Sequence, residues 1–123
     1  MQWYKEFYQK DEFDYGRYAV IEKVSNKLIG ICGFIPSVLD DTIYPELSYR
    51  FAKAYWGQGL ATEAACALRD YARDVLKLKE IISMIEPANV ASIRVAEKVG
   101  LQFWQHRLVY TNIPANIYRL QFR

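Results

Sequence analysis

The sequence predicts one mixed α/β domain with a largely antiparallel sheet and a single βαβ unit. Three observations carry this. A long amphipathic helix follows Gly57-Gln58-Gly59, a second helix is bounded by Asn89 and Gly100, and short apolar or alternating segments lie before, between and after them. The expected order is β-hairpin, β, α, β, α, β, β.

Residues 1–13 carry Trp3, Tyr4, Phe7 and Tyr8, with Trp3/Phe7 and Tyr4/Tyr8 at i,i+4 spacing, which predicts a short amphipathic helix ending before Asp14-Tyr15-Gly16. Tyr18 to Val24 reads as a strand, Ser25-Asn26-Lys27 as a turn, and Leu28 to Ile35 as the partner strand of a hairpin. Pro36 to Thr42 reads as a loop. Glu46 to Phe51 alternates and predicts a third strand.

After the glycines, Ala61, Ala64/Ala65, Leu68, Ala72 and Val75/Leu76 recur at helical spacing, with Arg69, Arg73, Asp74 and Lys77 on the other face. Glu80 to Ile85 reads as a buried strand ended by Pro87. Asn89 suits an N-cap, Ile93, Ala96 and Val99 continue a helical stripe, and Gly100 suits the C-terminal stop. Gln102 to Tyr110 and Asn116 to Phe122 read as two last strands joined around Pro114. No repeat, linker or low-complexity segment stands out.

Composition narrows the function. The chain has 123 residues, enough for one domain with a real core. A net charge of +2 without a dense Lys/Arg run argues against nucleic acid. The longest apolar stretches, such as Leu28 to Ile35, are too short to span a bilayer, and the N-terminus does not read as a signal peptide. Cys32 and Cys66 sit in apolar segments outside any metal-ligand spacing and read as reduced, buried thiols of a cytoplasmic protein. His106 is the only histidine, so metal sites built on several histidines are excluded, and no metal is expected.

The chemically informative segment is Trp56-Gly57-Gln58-Gly59-Leu60-Ala61-Thr62-Glu63-Ala64, joining a strand to the long helix. Glycines let the backbone turn tightly and bring N–H groups near a ligand. The first N–H groups of a helix lack intrahelical partners, and the helix dipole favours negative charge there. Such a place binds linked phosphates without a lysine. It is neither a triphosphate P-loop nor a dinucleotide fingerprint. A glycine loop that merely turns the chain has the same local sequence.

That segment resembles the pyrophosphate-binding loop and helix start of GNAT acetyltransferases, most closely the branch that includes the ribosomal-protein N-terminal acetyltransferases. Three further blocks match at the family's spacing: Leu28 to Phe34, Glu46 to Arg50, and Asn89 to Leu101. The resemblance runs from about Tyr18 to Leu120 and implies the GNAT fold, acetyl-CoA as cosubstrate, and acetyl transfer to a primary amine. It implies a V-shaped split between the strands 46–52 and 80–86, which takes the pantetheine arm. Backbone groups from Tyr49 through Phe51 to Ala52 would bond its amides. Gly57, Gln58, Gly59, Leu60, Ala61 and Thr62 would hold the pyrophosphate, and Asn89 and Ser92 would reach the cofactor from the second helix.

A neutral amine attacks a thioester directly, so chemistry asks for a base, an N–H donor to the developing oxyanion and a donor to the leaving thiolate. Glu46 is the candidate base, directly or through water; a surface carboxylate on a strand is the plainer account of it. Ser92 is the candidate partner of the thiolate, and a polar group of a helix first turn is its plainer account. Asn89 can serve as a cap with or without a ligand role. Tyr55 and Trp56 suit core packing better than the cleft, and Arg50 a solvated position. Cys32 and His106 form no convincing nucleophile–base pair.

The pattern departs from the family in three places. The tyrosine that many members place seven residues after the cap asparagine is Ala96. The Gln or Arg often found three residues before the first loop glycine is Ala54. Full-length relatives begin with a strand and two helices, whereas about one helix's worth of chain precedes Tyr18. The resemblance thus implies an N-terminally incomplete domain lacking its first strand, one or more helices and part of its acceptor wall, with a homodimer covering the exposed sheet edge and the aromatic residues 3–8. A protein N-terminus and a small-molecule amine are both open as acceptor. A catalytically inactive acetyl-CoA-binding or assembly module is the alternative to an enzyme.

Overall fold

The computed structural model describes residues 15–123 and the backbone of Gln2–Lys5. Seven strands form one sheet in the order β1-β2-β3-β4-β5-β7-β6. The strands are β1 (Gln2–Lys5), β2 (Arg17–Ile21), β3 (Leu28–Leu39), β4 (Thr42–Phe51), β5 (Glu80–Ile85), β6 (Gln102–Val109) and β7 (Ile113–Gln121). Helix α1 (Leu60–Asp74) joins β4 to β5, and α2 (Val90–Val99) joins β5 to β6. All neighbours are antiparallel except β4 and β5, which are parallel and meet in register at Glu46 and Ile82. The mixed α/β class and the β4-α1-β5 unit are as the sequence predicts. No helix among the described residues is long and apolar enough to cross a membrane.

Three expectations need correction. The helix expected over residues 1–13 is a strand over Gln2–Lys5, antiparallel to β2; the rest of that segment lies outside the described residues. An edge strand therefore stands ahead of β2, where the resemblance implies the first strand to be missing. Trp3 and Tyr4 suit a strand as readily as a helix, and pairing with β2 decides the matter.

The loop expected over 36–42 is mostly strand. β3 runs on to Leu39, and a two-residue turn at Asp40 and Asp41, with φ of 50° and 63°, reverses the chain into β4. Positive φ at both central residues gives the turn that matches the twist of a hairpin, and aspartate tolerates it. Pro36 and Pro45 face each other in register, so the two missing N–H donors fall on one rung and the ladder continues on either side.

The turn expected at Pro114 lies instead at residues 110–112, where Tyr110 and Asn112 take positive φ.

The helices lie against one face of the sheet. Ala64, Ala65 and Ala72 are fully buried with Leu68, their small side chains letting α1 sit close to Val20, Phe34, Leu47 and Ile81. Val75, expected on this stripe, ends the helix in solvent. Arg69, expected on the solvent face, is half-buried, and its Nη1 donates to the Val99 carbonyl at 2.8 Å. A cation there meets the carbonyls left open at the end of α2. A second, smaller cluster covers the opposite face: Leu39, Ile82, Val109, Ala115 and Ile117, with Tyr44, Met84 and Trp104 against it. The β3–β4 hairpin tip reaches this side, and Asp40 is held bidentately by Arg107 of β6 at 2.7 and 2.9 Å.

Candidate active site

The site begins where β4 and β5 part. Their single register pair, Glu46 and Ile82, is followed by divergence, since β4 turns into the loop toward α1 while β5 continues along β7. The split implied by the resemblance is therefore present. The buried polar side chains of the described residues are Ser37, Glu46 and Ser83, and all three gather at this fork. Ser83 Oγ donates to the Leu47 carbonyl at 3.3 Å. Ser37 Oγ donates to Glu46 Oε1 at 2.6 Å, and the Met84 N–H donates to Glu46 Oε2 at 3.1 Å. Buried polar groups persist only when partnered, so this concentration marks a built feature.

Glu46 is no surface carboxylate: it is 8% exposed. Burial pushes its pKa above the ordinary glutamate value, while the bonds from Ser37 and Met84 pull the other way. A carboxylate has about four lone-pair sites, so two donors leave acceptor capacity for a proton. Ser37 was missed by the sequence reading. Its partner lies nine residues along the chain, diagonally across a hairpin that was expected to be a loop.

Strand alternation places Glu46, Ser48 and Arg50 on the face away from the helices, and Leu47, Tyr49 and Phe51 on the helix face. Arg50 is exposed. Tyr49 spans the helix side of the split: its phenol donates to the Ser92 carbonyl in the first turn of α2 at 3.1 Å. Asn89 is the N-cap of α2, its Oδ1 accepting from the Ser92 N–H at 3.2 Å. Gly100 closes the helix at φ 107° and accommodates bonds to the Ala96 and Glu97 carbonyls. The structure thus brings Tyr49, Asn89 and Ser92 together. It sets Glu46 on the other side of the sheet, so the two candidate catalytic residues flank the split rather than touch.

Of the backbone groups from Tyr49 to Ala52 expected to meet the pantetheine arm, those at the end of β4 are engaged within the protein. The Ala52 N–H donates to the Ile29 carbonyl at 2.9 Å, and the Phe51 carbonyl accepts from the Trp56 indole at 2.7 Å. Trp56 is otherwise 64% exposed, so it staples the loop to the end of β4 rather than packing in the core, whereas Tyr55 is half-buried against the core. Gln58 folds back on the loop, Nε2 donating to the Ala54 carbonyl at 3.4 Å.

Gly57 and Gly59 take φ of 77° and 75°, and a Cβ built on either would meet nothing within 4 Å. The glycines serve backbone conformation, and open space lies beside them. Gly59 is the N-cap of α1, with no side chain capping it. The first intrahelical bond runs from the Glu63 N–H to the Gly59 carbonyl at 3.0 Å, and Leu60, Ala61 and Thr62 form the first turn, half-buried. A helix start without a side-chain cap beside a positive-φ loop is a concave set of N–H donors suited to an anion.

The other sequence candidates stay apart. Cys32 is buried and its thiol is pushed by burial up to about 12, and Cys66 is half-buried, so only the first matches the buried thiol expected. His106 is exposed on β6, its Nδ1 2.8 Å from Asn116 Oδ1.

Comparison with known proteins agrees with this architecture. The family described as the acetyltransferase (GNAT) domain matches residues 1–102. YkkB of Bacillus subtilis (strain 168), an uncharacterized protein, is 36% identical over 97 residues, covering 77% of this chain and 56% of its own length. The uncharacterized N-acetyltransferase p20 of Bacillus licheniformis is 33% identical over 87 residues, 70% of this chain and 48% of its own. The crystal structure of the acetyltransferase from Agrobacterium tumefaciens strain C58 superposes with a TM-score of 0.73 at 28% identity, covering 89% of this chain and 63% of that one. The chain belongs to the GNAT acetyltransferase domain family. It spans about half the length of these curated relatives.

Proposed function

We propose that the chain transfers the acetyl group of acetyl-CoA to a primary amine by direct attack. The observation that carries this is the loop at Gly57 and Gly59, whose positive-φ backbone and open flank lead into the α1 start that no side chain caps. These donors fit a diphosphate. Acetyl-CoA supplies an activated thioester, and the chain's residues do the rest. Glu46 takes a proton from the amine on the sheet face away from the helices; burial raises its pKa above the ordinary glutamate value, the direction that makes it a better base. Backbone N–H groups of β4 beyond Glu46 steady the oxyanion. Ser92, set at the start of α2 by Asn89 and Tyr49, donates to the departing thiolate.

The test is acetyl-CoA titration by calorimetry, followed by thiol release with a pool of amines and N-terminal peptides. Binding with release, and release lost in Glu46→Gln with binding retained, is the expected result; no binding overturns the proposal. β1 is the outermost strand among the described residues, and there we place a second copy of the chain in a homodimer. A strictly monomeric particle in sedimentation at micromolar concentration would overturn that assembly.

A further inference from the structure

The Glu46 carboxylate is gripped from both strands that flank β4. Ser37 of β3 donates its hydroxyl proton to Oε1 at 2.6 Å, and the Met84 N–H of β5 donates to Oε2 at 3.1 Å. The Ser37 bond runs diagonally: Ser37 stands opposite Tyr44, and Glu46 lies two residues further along β4 on the same face. The rung it crosses is Pro36–Pro45, so each of the two residues follows a proline whose ring fixes φ. Both are buried, Ser37 at 6% and Glu46 at 8% exposed. Because β4 and β5 share one register pair, Glu46–Ile82, the carboxylate itself carries a further bond across the fork.

A buried serine hydroxyl needs one acceptor, and a backbone carbonyl would serve. Directing it at a carboxylate on the next strand has a geometric effect. A single donor leaves a carboxyl group free to pivot about that bond. Two donors, one on each oxygen and arriving from opposite sides, fix its plane, and the lone pairs they leave point in one direction. A base works only when its lone pair meets the departing proton at hydrogen-bond distance, and small misplacements cost large factors in rate.

We propose that Ser37 is the positioning residue of Glu46, its hydroxyl and the Met84 N–H forming a two-sided clamp that aims the carboxylate at the incoming amine. The inference rests on the acetyl-transfer reading above. Ser37 touches no reacting atom and moves no proton; it acts through Glu46 alone. The other titratable and charged groups on this side are Tyr44 of β4, Glu80 of β5, Arg119 of β7, Tyr110 of the β6–β7 turn and the Asp40–Arg107 pair. They are the same in wild type and in a Ser37 variant, so a difference between the two reports Ser37.

The experiment follows the Met84 amide by NMR across pH, since that N–H donates to Glu46 and its shift reports the ionisation of the carboxyl. The pH profile of thiol release is measured beside it. Wild type, Ser37→Ala, Ser37→Thr, Glu46→Gln and the double variant Ser37→Ala with Glu46→Gln are compared. Ser37→Ala removes a donor to the charged form. The Met84 midpoint and the acidic limb of kcat/KM then move up by about one pH unit, the scale of one hydrogen bond to a charged group. The plateau kcat nevertheless falls about tenfold. A more basic carboxylate that works less well is the mark of lost aim, since base strength alone would change the rate the other way. Ser37→Thr, which keeps the hydroxyl, restores both. In Glu46→Gln the Met84 amide loses this midpoint, and adding Ser37→Ala lowers kcat no further. Should Ser37→Ala not fold, Ser37→Cys, a weaker donor, is read by the same criteria. An unmoved midpoint, an unchanged plateau kcat, or an equal loss of kcat in the Glu46→Gln background overturns the positioning role and leaves acetyl transfer intact. Wild-type protein that binds acetyl-CoA but releases no thiol with any amine overturns the reading and the positioning role together.

Discussion

The Tyr49 phenol reaches from β4 to the Ser92 carbonyl at 3.1 Å, so one side chain ties the strand at the fork to the first turn of α2. Asn89 holds the same turn from below through the Ser92 N–H. The position of Ser92 is thus set by two bonds to its own backbone, and its hydroxyl takes part in neither.

Tyr49→Phe keeps the ring and removes the tie. A lost partly buried hydrogen bond costs about 1 kcal/mol. Thermal denaturation should show a small decrease in stability, and calorimetry an acetyl-CoA affinity about fivefold weaker.

Gly59→Ala places a Cβ in open space but on a left-handed backbone. The cost, about 1–2 kcal/mol, is conformational and appears in the free protein as a lowered denaturant midpoint. If the loop instead relaxes to negative φ, the helix-start N–H groups turn away and acetyl-CoA binding weakens. Either outcome separates backbone geometry from steric contact, since no atom is near enough to clash.

Glu46→Gln should lower kcat about a hundredfold or more while raising stability at neutral pH. The folded-state pKa of Glu46 lies above its unfolded value. Its contribution to stability is therefore fully present below the unfolded pKa and is lost as pH rises through the folded one. Glutamine never ionises, so the two proteins should differ in denaturant midpoint at pH 7 to 8 and converge as the medium becomes acidic. A wild-type protein more stable than the variant at neutral pH would contradict the burial cost.

The two thiols should separate under a reagent such as a disulfide exchanger. Cys32 is buried, with its pKa pushed up to about 12, so it carries almost no thiolate in the native state. Cys66, half-buried in α1, should react first. Cys32 should react only on unfolding, in step with loss of helix signal by circular dichroism.

The helices were the most legible part of the chain because their signals are local. Asn89 and Gly100 cap α2 as expected, and the loop glycines take the left-handed backbone that no other residue adopts as cheaply. Strand identity at Gln2–Lys5 and the extent of β3 were hidden because each depends on a partner elsewhere in the chain. The prolines at 36 and 45 signal a loop one at a time and are harmless only when opposed. Glu46 was visible through the resemblance, but Ser37 was not. A serine becomes the neighbour of Glu46 only once the Asp40-Asp41 turn folds the hairpin.

The fork has a mechanical side. A sheet whose halves share one backbone rung behaves as two stiff plates on a narrow neck: β1 to β4 on one side, β5, β7 and β6 on the other. What holds the plates at a fixed angle is off the ladder: Ser83 and Glu46 at the neck, Tyr49 on one face, and the Asp40–Arg107 strut on the other. Hydrogen exchange should therefore be slow for amides within each plate and earliest for those lining the neck. A crevice built this way has its width set at the root, by a few contacts, while every strand pair within each plate stays whole.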